Sequence, residues 1–238
     1  MSTTRPALLL LPGLLCDAAL WQAQIDALSD VAAIHVADLS RDDDVAAMAA
    51  RAIAAMPARF AVAGLSMGGY VAFAVLRAAG ARVSRLMLLD TSARPDTEAQ
   101  AARRRALMAL SRRGRFRGVT PRLLPSLIHR DRLGDAALTG TVMAMAERLG
   151  GEMFLRQQAA ILGRPDSRPD LGGIAVPTAV LVGAEDVLTP PDCAREMADA
   201  IPGAVPHEIP GCGHLAPLEC PDIVTAMMRA WLNQGERQ

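Results

Sequence analysis

The chain has 238 residues, of which 51% are apolar, enough to bury a sizeable core in one catalytic domain that could carry an inserted subdomain. Its 25 basic and 25 acidic residues balance, so no global charge points to nucleic acid or to an anionic membrane. Every basic residue is Arg, and the absence of Lys excludes a Walker A phosphate loop as well as Schiff-base and pyridoxal-phosphate chemistry.

Arg5 and the apolar run that follows it imitate a secretory or lipoprotein signal. Pro12-Gly13 breaks that run early, bulky Leu15 stands where signal cleavage requires a small residue, and the run is too short to span a membrane. Ala7 to Leu11 therefore reads as a buried strand ended by a turn. Helical periodicity follows from Asp17 to Leu28, then a short strand from Ala33 to Ala37. Three acidic residues open a helix from Asp42 to Met56, as the helix dipole favours. A strand from Phe60 to Leu65, a helix from Met67 to Ala79 and a strand from Val83 to Leu89 complete the first half. Strands alternating with helices predict a parallel sheet covered on both faces.

The alternation stops near Ser92. From there to Gly173 the patterns are helical, with Arg-Pro-Asp at both margins, Arg94 to Asp96 and Arg164 to Asp166. It resumes with strand Ala179 to Gly183, helix Pro191 to Ile201, strand Ala204 to Ile209 and helix Pro221 to Asn233. This predicts an α/β core formed by 1–91 and 174–238, interrupted by an all-helical cap over 92–173. Cys16, Cys193, Cys212 and Cys220 show neither C-x-x-C nor zinc-type spacing. They read as reduced thiols, which implies a cytoplasmic protein with no metal.

Gly64-Leu65-Ser66-Met67-Gly68 matches G-x-S-x-G at the end of a predicted strand and the start of a predicted helix. There the chain turns sharply, the glycines remove colliding side chains, and the Ser66 hydroxyl stands exposed at a helix N-terminus. A hydroxyl becomes a competent nucleophile only when a base takes its proton. Of the four histidines, His35 and His207 fall inside strands and His129 inside the cap, leaving His214 in the loop Gly211-Cys212-Gly213. Asp186, after Val182 to Glu185 at a strand end, is the expected partner that orients His214, with Glu185 pointing elsewhere. Asp90 also ends a strand and competes for that role; bonding turn amides is its alternative task. The backbone N–H groups of Leu14 and Met67 are candidate oxyanion donors.

Gly-Leu-Ser-Met-Gly-Gly, the Gly-Ala-Glu-Asp turn and the Gly-Cys-Gly-His loop together resemble the α/β-hydrolase superfamily. They are similar to the branch with 3-oxoadipate enol-lactonases, cofactor-free haloperoxidases, small carboxylesterases and the menaquinone-pathway lyase. The resemblance spans the core, from Ala7 to Leu89 and from Ala179 to Leu232. Two departures stand out. Pro12-Gly13 replaces a frequent His-Gly, and the first strand here corresponds to the third of larger members, which implies six parallel strands rather than eight.

The expected activity is cofactor-free hydrolysis of a small-molecule carboxylic ester, thioester or lactone through acyl-Ser66. Carbon–carbon bond hydrolysis, perhydrolysis or lyase chemistry could use the same triad, and a ligand-binding module could use the same scaffold. Neither a nucleic acid nor a membrane is an expected partner; a homo-oligomer stays open. The cap holds 15 Arg against 8 acidic residues. From Arg103 to Arg122 there is no acidic residue at all. A solvated face accounts for this, as does an entrance that attracts a carboxylate, or a surface that docks on the acidic core of a second copy.

Overall fold

The computed structural model describes residues 5–233. Six strands form one sheet in the order β2-β1-β3-β4-β5-β6. They are β1 (Ala7–Leu11), β2 (Ala33–Val36), β3 (Phe60–Leu65), β4 (Val83–Leu89), β5 (Thr178–Gly183) and β6 (Val205–Ile209). Every pairing is parallel, and the strand limits fall within one residue of those predicted. β1 and β3 are apolar along their whole length, and β4 and β5 along their carboxyl-terminal halves, because helices cover both faces. After β1 comes α1 (Gln22–Leu28), and Leu9, Leu11, Val62, Leu88 and Val180 face α2 (Val45–Ala54), α3 (Met67–Ala79) and the helix Pro191–Ala200. The alternate residues Leu8, Leu10, Ala63, Met87 and Leu181 pack on the other face, with Trp21 and Trp231. The apparent signal sequence is thus the buried core of β1, with Leu8 to Leu11 wholly inaccessible.

Register decides where the loops meet. Leu11 pairs with Gly64, Leu65 with Leu89, Leu89 with Leu181, and Gly183 with Ile209. The carboxyl ends of five strands therefore lie side by side, and the loops carrying Leu14, Ser66, Asp90, Asp186 and His214 leave from one edge. Between β1 and β3 the strand order reverses, so their loops diverge there and open a crevice.

Between β4 and β5 the described residues contain helices and turns but no strand. α4 (Glu98–Leu110) starts at a capping box in which Thr97 and Gln100 exchange side-chain and backbone hydrogen bonds. α5 (Ala136–Gly163) is two helices joined at Gly150, whose φ of 73° only glycine adopts freely. The two Arg-Pro-Asp margins meet in space. Arg164 Nη2 lies 2.8 Å from Asp96 Oδ1 with both side chains buried, and Ser167 N–H donates to the Ala93 carbonyl at 2.8 Å.

Past β5 come α6 (Pro191–Ala200), a short α7 (Ala216–Glu219) and α8 (Pro221–Asn233). The sequence reading names no element between His214 and Pro221. α7 is a single turn, too short to show a period. Among the described residues no helix is long and apolar enough to cross a membrane. All four cysteines are free.

Candidate active site

Ser66 sits between β3 and α3 with φ 52° and ψ −113°, a conformation that is strained for any residue with a side chain. The surroundings hold it there. Ser66 N–H donates to the Leu89 carbonyl at 3.0 Å, and the Thr91 hydroxyl donates to the Ser66 carbonyl at 2.7 Å. The flanking glycines are needed for close approach. A Cβ on Gly64 would lie 2.4 Å from the Gly68 carbonyl oxygen, and one on Gly68 would lie 2.0 Å from that of Leu11.

His214 is buried in the loop between β6 and α7, with Nε2 2.9 Å from Ser66 Oγ and Nδ1 2.8 Å from Asp186 Oδ2. The three residues singled out for the triad are thus brought into one hydrogen-bonded chain. His35 and His207 lie exposed on the two edge strands, and His129 caps a turn of the helical segment. A carboxylate the sequence reading passed over shapes the His214 loop. Buried Glu219 accepts backbone N–H bonds from His129 at 2.6 Å, Gly213 at 3.1 Å and Leu215 at 3.1 Å. An acidic residue inside the apolar run Leu215 to Cys220 is the signal that could have marked it.

Asp186 is held from four directions. Its Oδ1 accepts from the Leu188 and Thr189 N–H groups, and its Oδ2 from the Thr189 hydroxyl at 2.7 Å and from His214. Burial opposes its charge, but His214 and these hydrogen bonds overcome that and keep the carboxyl below its ordinary value. Burial likewise disfavours a charged His214, and the Asp186 carboxylate outweighs it, raising the imidazole above its ordinary value. Asp90 is separate from this chain of bonds. It is buried, and its two oxygens accept from the N–H groups of Gly183 at 2.8 Å and Ala216 at 3.2 Å. Burial, reinforced by the nearby Asp186 charge, pushes Asp90 well above the usual carboxylate range. Glu185 turns away and accepts from Cys212 N–H at 3.0 Å.

Leu14 lies in the turn after β1 that Cys16 N–H closes on the Gly13 carbonyl at 3.1 Å. Met67 is the first residue of α3, where backbone N–H groups have no helical acceptor. Leu14, Ser66 and His214 border a cavity of about 800 Å³ that runs beneath α4 and the turns following it. Its lining includes the apolar side chains of Leu15, Leu65, Val142, Phe154 and Leu215. Among the described residues no group of three or more His, Cys, Asp or Glu is placed to hold a metal ion.

Comparison with known proteins agrees with this architecture. The protein named "Putative non-heme bromoperoxidase BpoC" of Mycobacterium tuberculosis H37Rv is 34% identical over 180 residues, 73% of this chain and 67% of that one. A malate-bound thermophilic esterase from Thermogutta terrifontis superposes with a TM-score of 0.87 at 30% identity, covering 99% of this chain and 92% of that one. The enol-lactonase of Burkholderia xenovorans LB400 also superposes with a TM-score of 0.87, covering 98% and 93%, and at 23% identity shares the fold. Residues 8–227 match the profile of the alpha/beta hydrolase family. With the six-stranded parallel sheet, the elbow at Ser66 and this match, the chain belongs to the alpha/beta hydrolase family.

Proposed function

We propose that the protein is a serine hydrolase that cleaves a small-molecule carboxylic ester, thioester or lactone through an acyl-Ser66 intermediate. The observation that carries this reading is the unbroken chain Ser66 Oγ, His214 Nε2, His214 Nδ1, Asp186 Oδ2, with spacings of 2.9 Å and 2.8 Å. His214 takes the Ser66 proton as Oγ attacks the carbonyl carbon. It then gives that proton to the leaving group, and Asp186 stabilises the imidazolium between the two events. The N–H groups of Leu14 and Met67 receive the oxyanion. Water, activated by His214, releases the acid and restores Ser66. Residues 92–173 act as a cap that roofs the cavity and selects the substrate. A fluorophosphonate probe tests the reading. Ser66 becomes labelled and the Ser66→Ala protein does not, and an unlabelled wild type would leave a binding module on a hydrolase scaffold.

Similarity to BpoC supports a second outcome with the same residues. Hydrogen peroxide in place of water on the acyl-serine yields a peracid. Peracid formation from acetate and peroxide, lost in Ser66→Ala, is the measurement that assigns it.

A further inference from the structure

The arginines of residues 92–173 divide by position. Arg105, Arg130, Arg132, Arg148, Arg156 and Arg168 do not border the cavity, and each lies 2.6–3.6 Å from a carboxylate. Arg103, Arg115, Arg117 and Arg122 do border it, are exposed, and have no carboxylate partner among the described residues. Arg94, Arg104 and Arg164 also border it; Arg94 pairs with Glu196, and the other two share Asp96, while exposed Arg112 and Arg113 lie off the cavity and have no carboxylate partner among the described residues. Seven Arg thus border the cavity against one acidic residue, Asp96.

Six of the eight arginines away from the cavity have found carboxylates, whereas none of the four exposed ones bordering it has, so unpaired positive charge is concentrated there. Like charges gathered without counter-ions repel one another, and a cleft of one sign concentrates ions of the other. The same mouth is apolar as well. Leu107, Leu110 and Leu123 each keep 42% of their surface exposed, and Val187 keeps 65%. Guanidiniums interleaved with exposed aliphatic side chains fit a molecule that is itself amphipathic.

We infer that Arg103, Arg115, Arg117 and Arg122 form an anion-recognising rim. The substrate then carries a carboxylate or phosphate, separated by an apolar segment from the carbonyl that Ser66 attacks. This inference rests on the acyl-Ser66 reading and deepens it by naming a substrate class. The anion stays at the mouth, held by bidentate guanidinium contacts, while the apolar segment fills the wall near Leu15 and Phe154.

The test compares activated esters of equal length in three arms: a neutral acyl chain, an acyl chain ending in carboxylate, and a neutral chain whose leaving group bears a phosphate. At least one anionic arm exceeds the neutral one in kcat/KM by about tenfold at low salt, the size of one charge-assisted hydrogen bond. The advantage shrinks between ~0.01 M and ~1 M salt, as the screening length falls from about 30 Å to about 3 Å. Replacing the four rim arginines by Gln brings the ratio towards one, whereas Arg112→Gln with Arg113→Gln, exposed but off the cavity, leaves the ratio as it was. Equal rates in all three arms at low salt would overturn the inference. Calorimetry on Ser66→Ala with uncleavable amide analogues separates the two readings. Tighter binding of the anionic amide with no wild-type turnover of any ester keeps the rim and removes the acyl-serine mechanism.

Discussion

The side-chain oxygen of Gln157, on the second half of α5, accepts the backbone N–H of Leu15 at 2.9 Å. Its amide nitrogen donates to the Leu39 carbonyl at 3.2 Å, and the side chain is 1% exposed. The helical segment therefore anchors the turn that presents Leu14, at a residue whose own φ is 57°. Gln157→Leu leaves a buried N–H without an acceptor, a loss of about 1–3 kcal/mol in stability. With the turn loosened, kcat falls about tenfold while KM changes little, less than the ~10²-fold loss from removing an oxyanion donor outright. Steady-state kinetics beside thermal unfolding checks this. A stability loss with kcat unchanged would make Gln157 structural only.

On the proposed acyl-Ser66 mechanism, Ser66→Ala and His214→Ala each remove nearly all turnover, about 10⁴-fold or more, because nucleophile and base act as a unit. The double variant is no slower than either single one. Losses that multiply would assign the two residues to independent roles.

Asp186→Asn and Asp90→Asn separate the two strand-end carboxyls. Asp186→Asn lowers turnover by about 10⁴-fold, since an amide stabilises the wrong tautomer of His214. Asp90→Asn turns one acceptor of the Gly183 and Ala216 N–H groups into a donor, so its main effect is a stability loss of about 1–3 kcal/mol. Thermal unfolding and kcat on both variants give the ranking, and the reverse order would move the acid to Asp90.

The pH profile follows from His214. Attack needs the neutral imidazole, so activity is lost as pH falls through its pKa. The Asp186 carboxylate raises that pKa despite burial, which moves the acid limb of kcat/KM above the ordinary histidine value of 6.5. The rate drops about tenfold per pH unit below it. Asp186→Asn removes the charge responsible and shifts what remains of the limb downward. A limb below 6.5 in the wild type would show that burial, not Asp186, governs His214.

Much of the fold is legible locally because its causes are local. Continuous apolar runs ended by Pro12-Gly13 or Gly183 mark buried parallel strands. Gly64 and Gly68 flank Ser66 because the elbow itself leaves no room for side chains. The chain order of Ser66, Asp186 and His214 follows from which strand ends precede them, so these candidates could be named before their geometry was known. Gln157, Thr91 and Thr189 could not. The Gln157 bond to Leu15 spans 142 residues, and the polar side chains involved carry no periodic mark of their task.

The apolar runs of the chain and the turn residues that end them marked by themselves the six parallel strands and their boundaries, since a strand buried on both faces is written as a continuous hydrophobic stretch. Only the tertiary structure decided which charges are neutralised. Arg104 and Arg105 are adjacent in sequence, yet Arg104 shares buried Asp96 with Arg164, Arg105 pairs with exposed Glu98, and Arg103 beside them has no such partner and faces the cavity. Coulombic pairing acts through distances of a few ångströms in space, and the one between Arg164 and Asp96 exists only once β4 and β5 have brought the two ends of residues 92–173 together.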